Sequence, residues 1–436
     1  MRRINGWGGV FLYPILLVLF FIITVFHGTA IGEQRASENA SELTGHNTAL
    51  IKPEVIDKGL PSSADNSAGL PPVKDQGEQQ SSAAWACAYY YKTYQEGLER
   101  EWDLTDPAHQ FSPAFLYNQQ MIDGTILLNN TIEFNMKLIA EQGCATLKDM
   151  PYDENDESTW PNAQQYRSAI PYRSLSYEYL GHGEYPGIFE TVKTIISSGD
   201  LCVIGIPVFR PGPDIPGSFD LLDADDFHYD FPDEDEVFLF GLHTVTIVGY
   251  DEFRFDGEGG YKIVNSRGTD WGNQGFAWLS TKFLTAFGFD FYRMTDRASY
   301  SPDRFLKFKI SHVDWFDDKL RLSFGVGETD NPLWSRKWSV LNRNNFTLDC
   351  VVDLTDQSEY FPFSTENRWW IGLEKDDEEN TQNPTLHIAE METPSSIEIA
   401  GDLSEVYSFA DYTAYAYFGA EPDPDRILYL DSPEAG

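Results

Sequence analysis

The 436-residue chain carries 69 acidic against 31 basic residues, a formal net charge of -38. Such a surface repels phosphate rather than neutralising it, which excludes nucleic acid as a partner and disfavours an anionic membrane surface. With 42% hydrophobic and 15% aromatic residues, the chain has the material for a packed core, and its length suits two domains.

Arg2 and Arg3 precede an apolar run from Val10 to Phe26, and Gly28-Thr29-Ala30 follows. A basic start, an apolar middle and small residues at the end describe a secretory signal peptide over residues 1–30, cleaved after Ala30. The run also falls only slightly short of the ~20 residues of a spanning helix, so an uncleaved anchor is the alternative. The membrane is a partner only in that case. Either way the expected location is outside the cytoplasm, secreted or at the cell surface. Residues 31–58 are polar and rich in Ser, Asn and Glu, and read as a linker. Asn39, Asn129 and Asn345 stand in glycosylation sequons.

Pro61, Pro71 and Pro72 introduce the first ordered block. The stretch from Ser82 to about Glu99 has few breakers and predicts a helix with a serine able to serve as N-cap. FSPAFLYNQ (111–119) and TIEFNMKLIAEQG (131–143) predict two more helices, the second stopped at Gly143. Beyond residue 200 the pattern turns to strands: LCVIGIPVF (201–209), HTVTIVGY (243–250), GYKIVNS (260–266) and GFAWLS (275–280). Helices first and strands later predict an α+β domain over residues 59–298.

The texture changes at Asp303. Short alternating segments follow: FLKFKI, KLRLSFGV, RKWSVL, FTLDCVVDL, RWWIGLE and TLHIAEM. They predict an all-β sandwich, jelly-roll-like, over residues 303–424, with a loose tail at 425–436. Of Trp369 and Trp370, one is expected inside and the other at a rim. Cys87, Cys144, Cys202 and Cys350 are widely spaced, which points to neither a disulfide framework nor a zinc site. Cys350 alternates with Phe346, Leu348, Val352 and Leu354 and reads as a buried thiol. Ten acidic residues lie between Asp214 and Glu236, with Phe227, Tyr229 and Phe231 among them. The segment reads as a solvated insertion. A cleft-covering or calcium-holding loop is the alternative, though it has no EF-hand spacing. The KDDEEN run (375–380) reads as a charged turn. No cofactor and no metal is called for.

Three separated segments carry chemistry: LPPVKDQGEQQSS (70–82), GLHTVTIVGYD (241–251) and VNSRGTDWGNQGFAWL (264–279). Together, and in this order, they resemble the papain family of cysteine peptidases, most closely its secreted prokaryotic members. FSPAFLYNQ and GCATLKDMPYDEND (143–156) add the family's helix and Pro-Tyr loop signatures. The resemblance implies a two-lobed domain over residues 59–298. It also implies a thiolate nucleophile at a helix N-terminus, where dipole and imidazolium lower its pKa. A histidine moves the proton, an asparagine orients its ring, and a glutamine amide stabilises the oxyanion. By resemblance Gln76 is the oxyanion glutamine, His243 the general base and Asn265 the orienting amide.

The nucleophile follows the glutamine by six residues in that family, which selects Ser82. Counting back from Trp85 selects Ala84 instead; Ser82 is preferred because it needs no insertion in the oxyanion loop. Neither is a cysteine. Cys87 stands five residues up the helix, ~7.5 Å of rise and ~140° of rotation away. Arg267 takes the place of the tryptophan that shields the Asn–His contact, while Trp271 and Gly272 match. Gln80 replaces a glycine before the nucleophile, and Gln79 a disulfide cysteine. Residues 31–58 are fewer than an inhibitory propeptide of the family. The C-terminal block faintly resembles the sandwich that follows the catalytic domain of proprotein convertases.

A serine hydroxyl is not held ionised by a dipole and a histidine. Serine peptidases place a carboxylate behind the histidine, and exchanging it for an amide costs about 10^4 in rate. The expected function is therefore a degenerate peptidase that binds a peptide or protein ligand in its cleft. One alternative is a working hydrolase using Ser82, His243 and Asn265. The other is a cell-surface adhesion protein acting through the sandwich.

Overall fold

Between Ser82 and Arg100 there is one glycine, at 97, and no proline. The whole segment is helical in the computed structural model, as helix α1 (82–100). The structure describes residues 59–122, 125–126, 131–211, 219, 222–224, 227–230, 237–311, 320–328, 330–340, 347–360, 369–374, 385–393, 397–402 and 413–418. The expected signal or anchor (1–30), linker (31–58), tail, 375–380 turn, Phe346 and all three sequon asparagines lie outside the described residues. Among the described residues no helix is long and apolar enough to cross a membrane.

The middle of α1, Trp85–Lys92, is wound as a π-helix rather than the plain α-helix the sequence predicts. Residues 83 to 97 are buried all round, so this helix is a core element rather than an amphipathic surface one. Burying so many tyrosines requires partners for their hydroxyls. Tyr89 donates to the Pro72 carbonyl at 2.6 Å, Tyr90 to Asn265 at 2.8 Å and Tyr94 to Gly199 at 2.7 Å. Lys92 is fully buried, its Nζ 2.8 Å from Glu96 and 2.5 Å from Asp296.

Around α1 pack α2 (Pro113–Tyr117) and α3 (Ile132–Gln142), while α4 (Ala163–Ala169) packs against the later strand Thr347–Asp353. Thr131 caps α3 by accepting from Phe134 N, and Asn162 with Gln165 forms a capping box on α4. The strand side is one eight-stranded sheet. Its strands are β1 (Ser63–Asp65), β4 (Ser174–Gly181), β5 (Cys202–Pro211), β6 (His228–Tyr229), β7 (Val237–Asp251), β8 (Gly260–Val264), β9 (Phe276–Ser280) and β10 (Phe289–Asp296). The order is β4-β10-β5-β7-β8-β9-β6, with β1 on β7, and all pairs are antiparallel except β6 with β9. A two-stranded hairpin joins β2 (Met121–Ile122) to β3 (Thr125–Ile126). Helices α5 (Ile188–Ser197) and α6 (Thr281–Phe287) lie against the sheet. Neither α4, α5 nor α6 is predicted from sequence. In α5 the β-branched residues speak for strand, but Ile188, Val192, Ile195 and Ile196 recur at helical spacing and are buried.

Residues beyond 303 form two four-stranded antiparallel sheets, as expected of a sandwich. One is β14 (Thr347–Asp353), β11 (Phe305–Ser311), β16 (Thr385–Glu392) and β17 (Ile397–Asp402). The other is β13 (Pro332–Val340), β12 (Leu320–Gly327), β15 (Trp369–Glu374) and β18 (Thr413–Phe418). Phe308 and Ile310 of one sheet and Leu322, Phe324 and Ile371 of the other lie in one apolar cluster. Cys350 is fully buried there, as its alternation predicts. The expectation of one inner and one rim tryptophan is corrected: Trp369 is 0% and Trp370 3% exposed. Trp370 is covered because its ring lies against Gly325, where a Cβ would stand 2.5 Å from it.

The sandwich is not a bead on a string. Its apolar cluster is continuous with that of α1, α2 and α3, and all described residues belong to one compact unit, Leu50–Gly436. Arg173 Nη1 pairs with the buried Asp353 at 2.5 Å, and the Tyr300 hydroxyl donates to the same carboxylate. The Arg167 guanidinium stands 4.6 Å from the Phe305 ring centroid.

Candidate active site

Ser82 begins α1, so its N–H is among those left without an intrahelical acceptor. It is partly exposed, whereas Ala83 and Ala84 are buried. Its Oγ accepts from Thr244 N at 3.3 Å, which brings it to β7 beside His243. Of the two positions considered for the nucleophile, Ser82 is the one whose side chain reaches the histidine strand. The neighbouring Ser81 is fully buried and hydrogen-bonded at 2.9 Å to the Tyr152 hydroxyl.

His243 is 7% and Asn265 1% exposed. The His243 Nε2–H donates to Asn265 Oδ1 at 2.7 Å, and that oxygen also accepts from Ser266 N at 2.8 Å. An acceptor at Nε2 assigns the proton of the neutral ring to that nitrogen and makes Nδ1 the basic one. The asparagine is fixed from behind: its N–H donates to Gly275, and its carbonyl accepts from Tyr90 of the central helix.

Gln76 is also held. Its Oε1 accepts from Ser266 Oγ at 2.6 Å, its Nε2 donates to the Gln79 carbonyl at 2.6 Å, and its own N–H donates to the Ser266 carbonyl at 2.9 Å. An amide nitrogen has two hydrogens, so one remains to meet an oxyanion. The loop carrying Gln76 is braced by the Pro-Tyr segment. Tyr152 donates to the Gln76 carbonyl at 2.7 Å and packs edge-on against Trp85 at 4.9 Å. Glu154 accepts from Glu78 N at 2.7 Å. Gly77 has φ +63, and a Cβ there would stand 1.7 Å from the Glu154 carboxylate. Gln79, in the place of a disulfide cysteine, is buried, and Gln80 is exposed.

The structure therefore brings all four expected residues to neighbouring segments: Ser82 at the helix head, His243 on β7, Asn265 after β8, and Gln76 tied to Asn265 through Ser266. Sequence reasoning assigned no role to Ser266, Thr244, Tyr152 or Phe219. Phe219 lies 5.9 Å from the His243 ring and 5.1 Å from Trp271. Arg267, in the tryptophan's place, instead forms a backbone bridge with Asp75.

Cys87 is fully buried, and burial pushes its thiol up, the direction opposite to a reactive thiolate. Cys144 and Cys202 are raised for the same reason. The four cysteines are unpaired. Among the described residues, Glu96, Glu99 and Asp296 bring carboxylate oxygens within 4.8 Å of one another. Lys92 Nζ already supplies the cation to two of them.

No family model and no curated protein matches the chain. Solved structures similar to it include xylellain, a cysteine protease from Xylella fastidiosa, at 22% identity and TM-score 0.43, over 54% of this chain and 87% of that one. The bromelain protease from Ananas comosus matches at 15% identity and TM-score 0.39, over 54% of this chain and 99% of that one. ProCathepsin B S9 from Trypanosoma congolense matches at 20% and 0.42, over 59% and 88%. A buried helix headed by Ser82 faces an antiparallel sheet that holds His243 and delivers Asn265, so the elements from β1 to β10 form a papain-like α+β fold.

Proposed function

We propose that the chain is a secreted papain-like peptidase homologue that binds a peptide or protein segment at the head of α1 and cleaves it weakly or not at all. One observation carries this reading: the histidine beside Ser82 is oriented by an amide oxygen, Asn265 Oδ1, at 2.7 Å. That arrangement suits a thiol, whose proton leaves before attack. A hydroxyl must be deprotonated as it attacks, and a neutral partner does little to stabilise the imidazolium that forms. The loss is about 10^4 in rate where it has been measured in a serine peptidase. The helix dipole, equivalent to about half a charge, does not close that gap.

A second reading, residual hydrolysis through Ser82, is favoured by the fixed Gln76 amide, since oxyanion stabilisation alone retains some catalysis. Adhesion through the sandwich alone is the weaker reading, because the sandwich shares its core with the helical lobe.

The test is hydrolysis of an unfolded protein substrate by wild type, Ser82→Ala and Ser82→Cys, with peptide binding measured on the same three. Ser81→Ala serves as a control, since Ser81 is buried. The expected result is binding by all, and hydrolysis at least 100-fold above wild type in Ser82→Cys. Brisk turnover by wild type that vanishes in Ser82→Ala would overturn degeneracy and leave the hydrolase.

A further inference from the structure

We propose that Phe219 is a positioning residue, supplied by the acidic segment between β5 and β7, that keeps the His243–Asn265 hydrogen bond dry. The proposal rests on the reading of His243 and Asn265 as the proton-handling pair.

The expectation of a solvated insertion does not fit the described part of this segment. Phe219 is 1%, Leu222 4% and Tyr229 3% exposed. The segment is also tied to the turn that follows Asn265. Trp271 Nε1 donates to the Phe219 carbonyl at 2.7 Å, and Gly272 N donates to the Leu222 carbonyl at 2.7 Å. Further along, Trp278 N donates to the Phe227 carbonyl at 2.8 Å, β6 pairs with β9, and Ser280 Oγ donates to Asp230 at 2.5 Å. These anchors hold the Phe219 ring between three others: His243 at 5.9 Å, Trp271 at 5.1 Å and Tyr229 at 5.5 Å.

The contact with His243 has a physical consequence. An amide oxygen is a weaker acceptor than a carboxylate, so water competes with it more successfully for the imidazole N–H. Excluding water strengthens the bond that remains. The residue after Asn265-Ser266 is Arg267, which brings no aromatic cover. Phe219 brings it from the far side of β7 in sequence.

The test uses the full-length protein with nitrogen-15 histidine. The Nε2–H resonance of His243 is identified by its absence from His243→Gln, and its exchange with water is measured. Phe219→Ala is expected to speed that exchange at least tenfold, with the backbone amides of Phe308 and Ile371 in the sandwich unchanged. An unchanged rate in Phe219→Ala overturns the proposal, as does an equal acceleration at Phe308 and Ile371, which marks general loosening. If Phe219→Ala does not fold, Phe219→Leu keeps the core filled but removes the flat ring. A threefold or greater acceleration there supports the proposal, and none overturns it. A wild-type spectrum without the resonance would remove the hydrogen bond itself, and the site reading with it. The readout needs no turnover, so the two failures are distinct.

Discussion

The His243 Nε2–H donates to Asn265 Oδ1 at 2.7 Å, while the Nδ2 of the same asparagine is buried with no hydrogen-bond partner among the described residues. One side of this amide is therefore engaged and the other idle. Asn265→Asp would keep the acceptor that His243 and Ser266 use and lose no donor that is bonded. It would place a negative charge behind the ring, where a serine mechanism needs one. Ser82-dependent hydrolysis is expected to rise at least tenfold, toward the ~10^4 that the reverse exchange costs elsewhere. The comparison is the Asn265→Asp variant with and without Ser82→Ala. No rise would mean that the Ser82 hydroxyl is not in line with the histidine.

Thiol chemistry gives a second prediction. Burial raises the Cys87, Cys144 and Cys202 thiols and puts Cys350 well above its ordinary value. The native protein should release no chromophore with an aromatic disulfide reagent at pH 8, and the unfolded protein should react at all four. Ser82→Cys should add one fast-reacting thiol in the native state. A reactive thiol in native wild type would reopen the question of the nucleophile.

Asp200 supplies a pH dependence. Burial raises its carboxyl above the ordinary 3.8, and the Leu201 N–H and the Tyr91 hydroxyl offset this only in part. The folded chain thus holds this proton to higher pH than the unfolded chain. Stability contributed here is present below 3.8 and declines as pH rises to the folded value. Asp200→Asn retains an acceptor for Leu201 N, which now bonds Oδ1 at 2.9 Å. It should raise the melting temperature at pH 7 and leave it unchanged at pH 3. Equal effects at both pH values would exclude this account.

The junction between the papain-like domain and the sandwich gives a fourth. The Asp353 side chain is fully buried against Arg173, which is 13% exposed. Removing one member of such a pair costs about 3–5 kcal/mol where the other is left uncompensated, and Arg173 keeps Asp356 at 3.8 Å, which puts the loss at about 3 kcal/mol. Asp353→Ala should lose that much in urea unfolding, and wild type should unfold in one transition seen alike by tryptophan fluorescence and circular dichroism. Residues 303–424 expressed alone should not give a stable monomer, since Phe305 and its neighbours would be bared. Two separate transitions would contradict a shared core.

What the amino-acid order disclosed depended on how local the signal was. Gln76, Ser82, His243 and Asn265 were legible because the three short stretches that hold them, 70–82, 241–251 and 264–279, resemble those of the papain family, and the structure brings those stretches together. The strands beyond Asp303 were legible because apolar residues alternate in them. Phe219 was not, because the acidic residues around it outweigh one aromatic in any reading of composition. Trp370 was misjudged because alternation points it away from Trp369, and only Gly325 on the neighbouring strand makes room for it. The change in texture at 303 suggested a boundary, yet pairs such as Arg173 with Asp353 lie far apart in sequence and leave no local trace.

The π-wound stretch of α1 has one more consequence. Each residue advances an α-helix by about 100°, so a widened turn resets the phase of everything after it. Ser82 lies before that stretch, and Lys92 sits at its end, paired with Glu96 beyond it and with Asp296. A π turn takes in one residue more than an α turn, so deleting one residue between Trp85 and Lys92 would let the helix rewind as α with its two ends close to their present phase. Rewinding it with every residue kept would instead swing either the serine or the buried lysine out of place, so the widened turn keeps the two ends of one rod aimed at their separate partners.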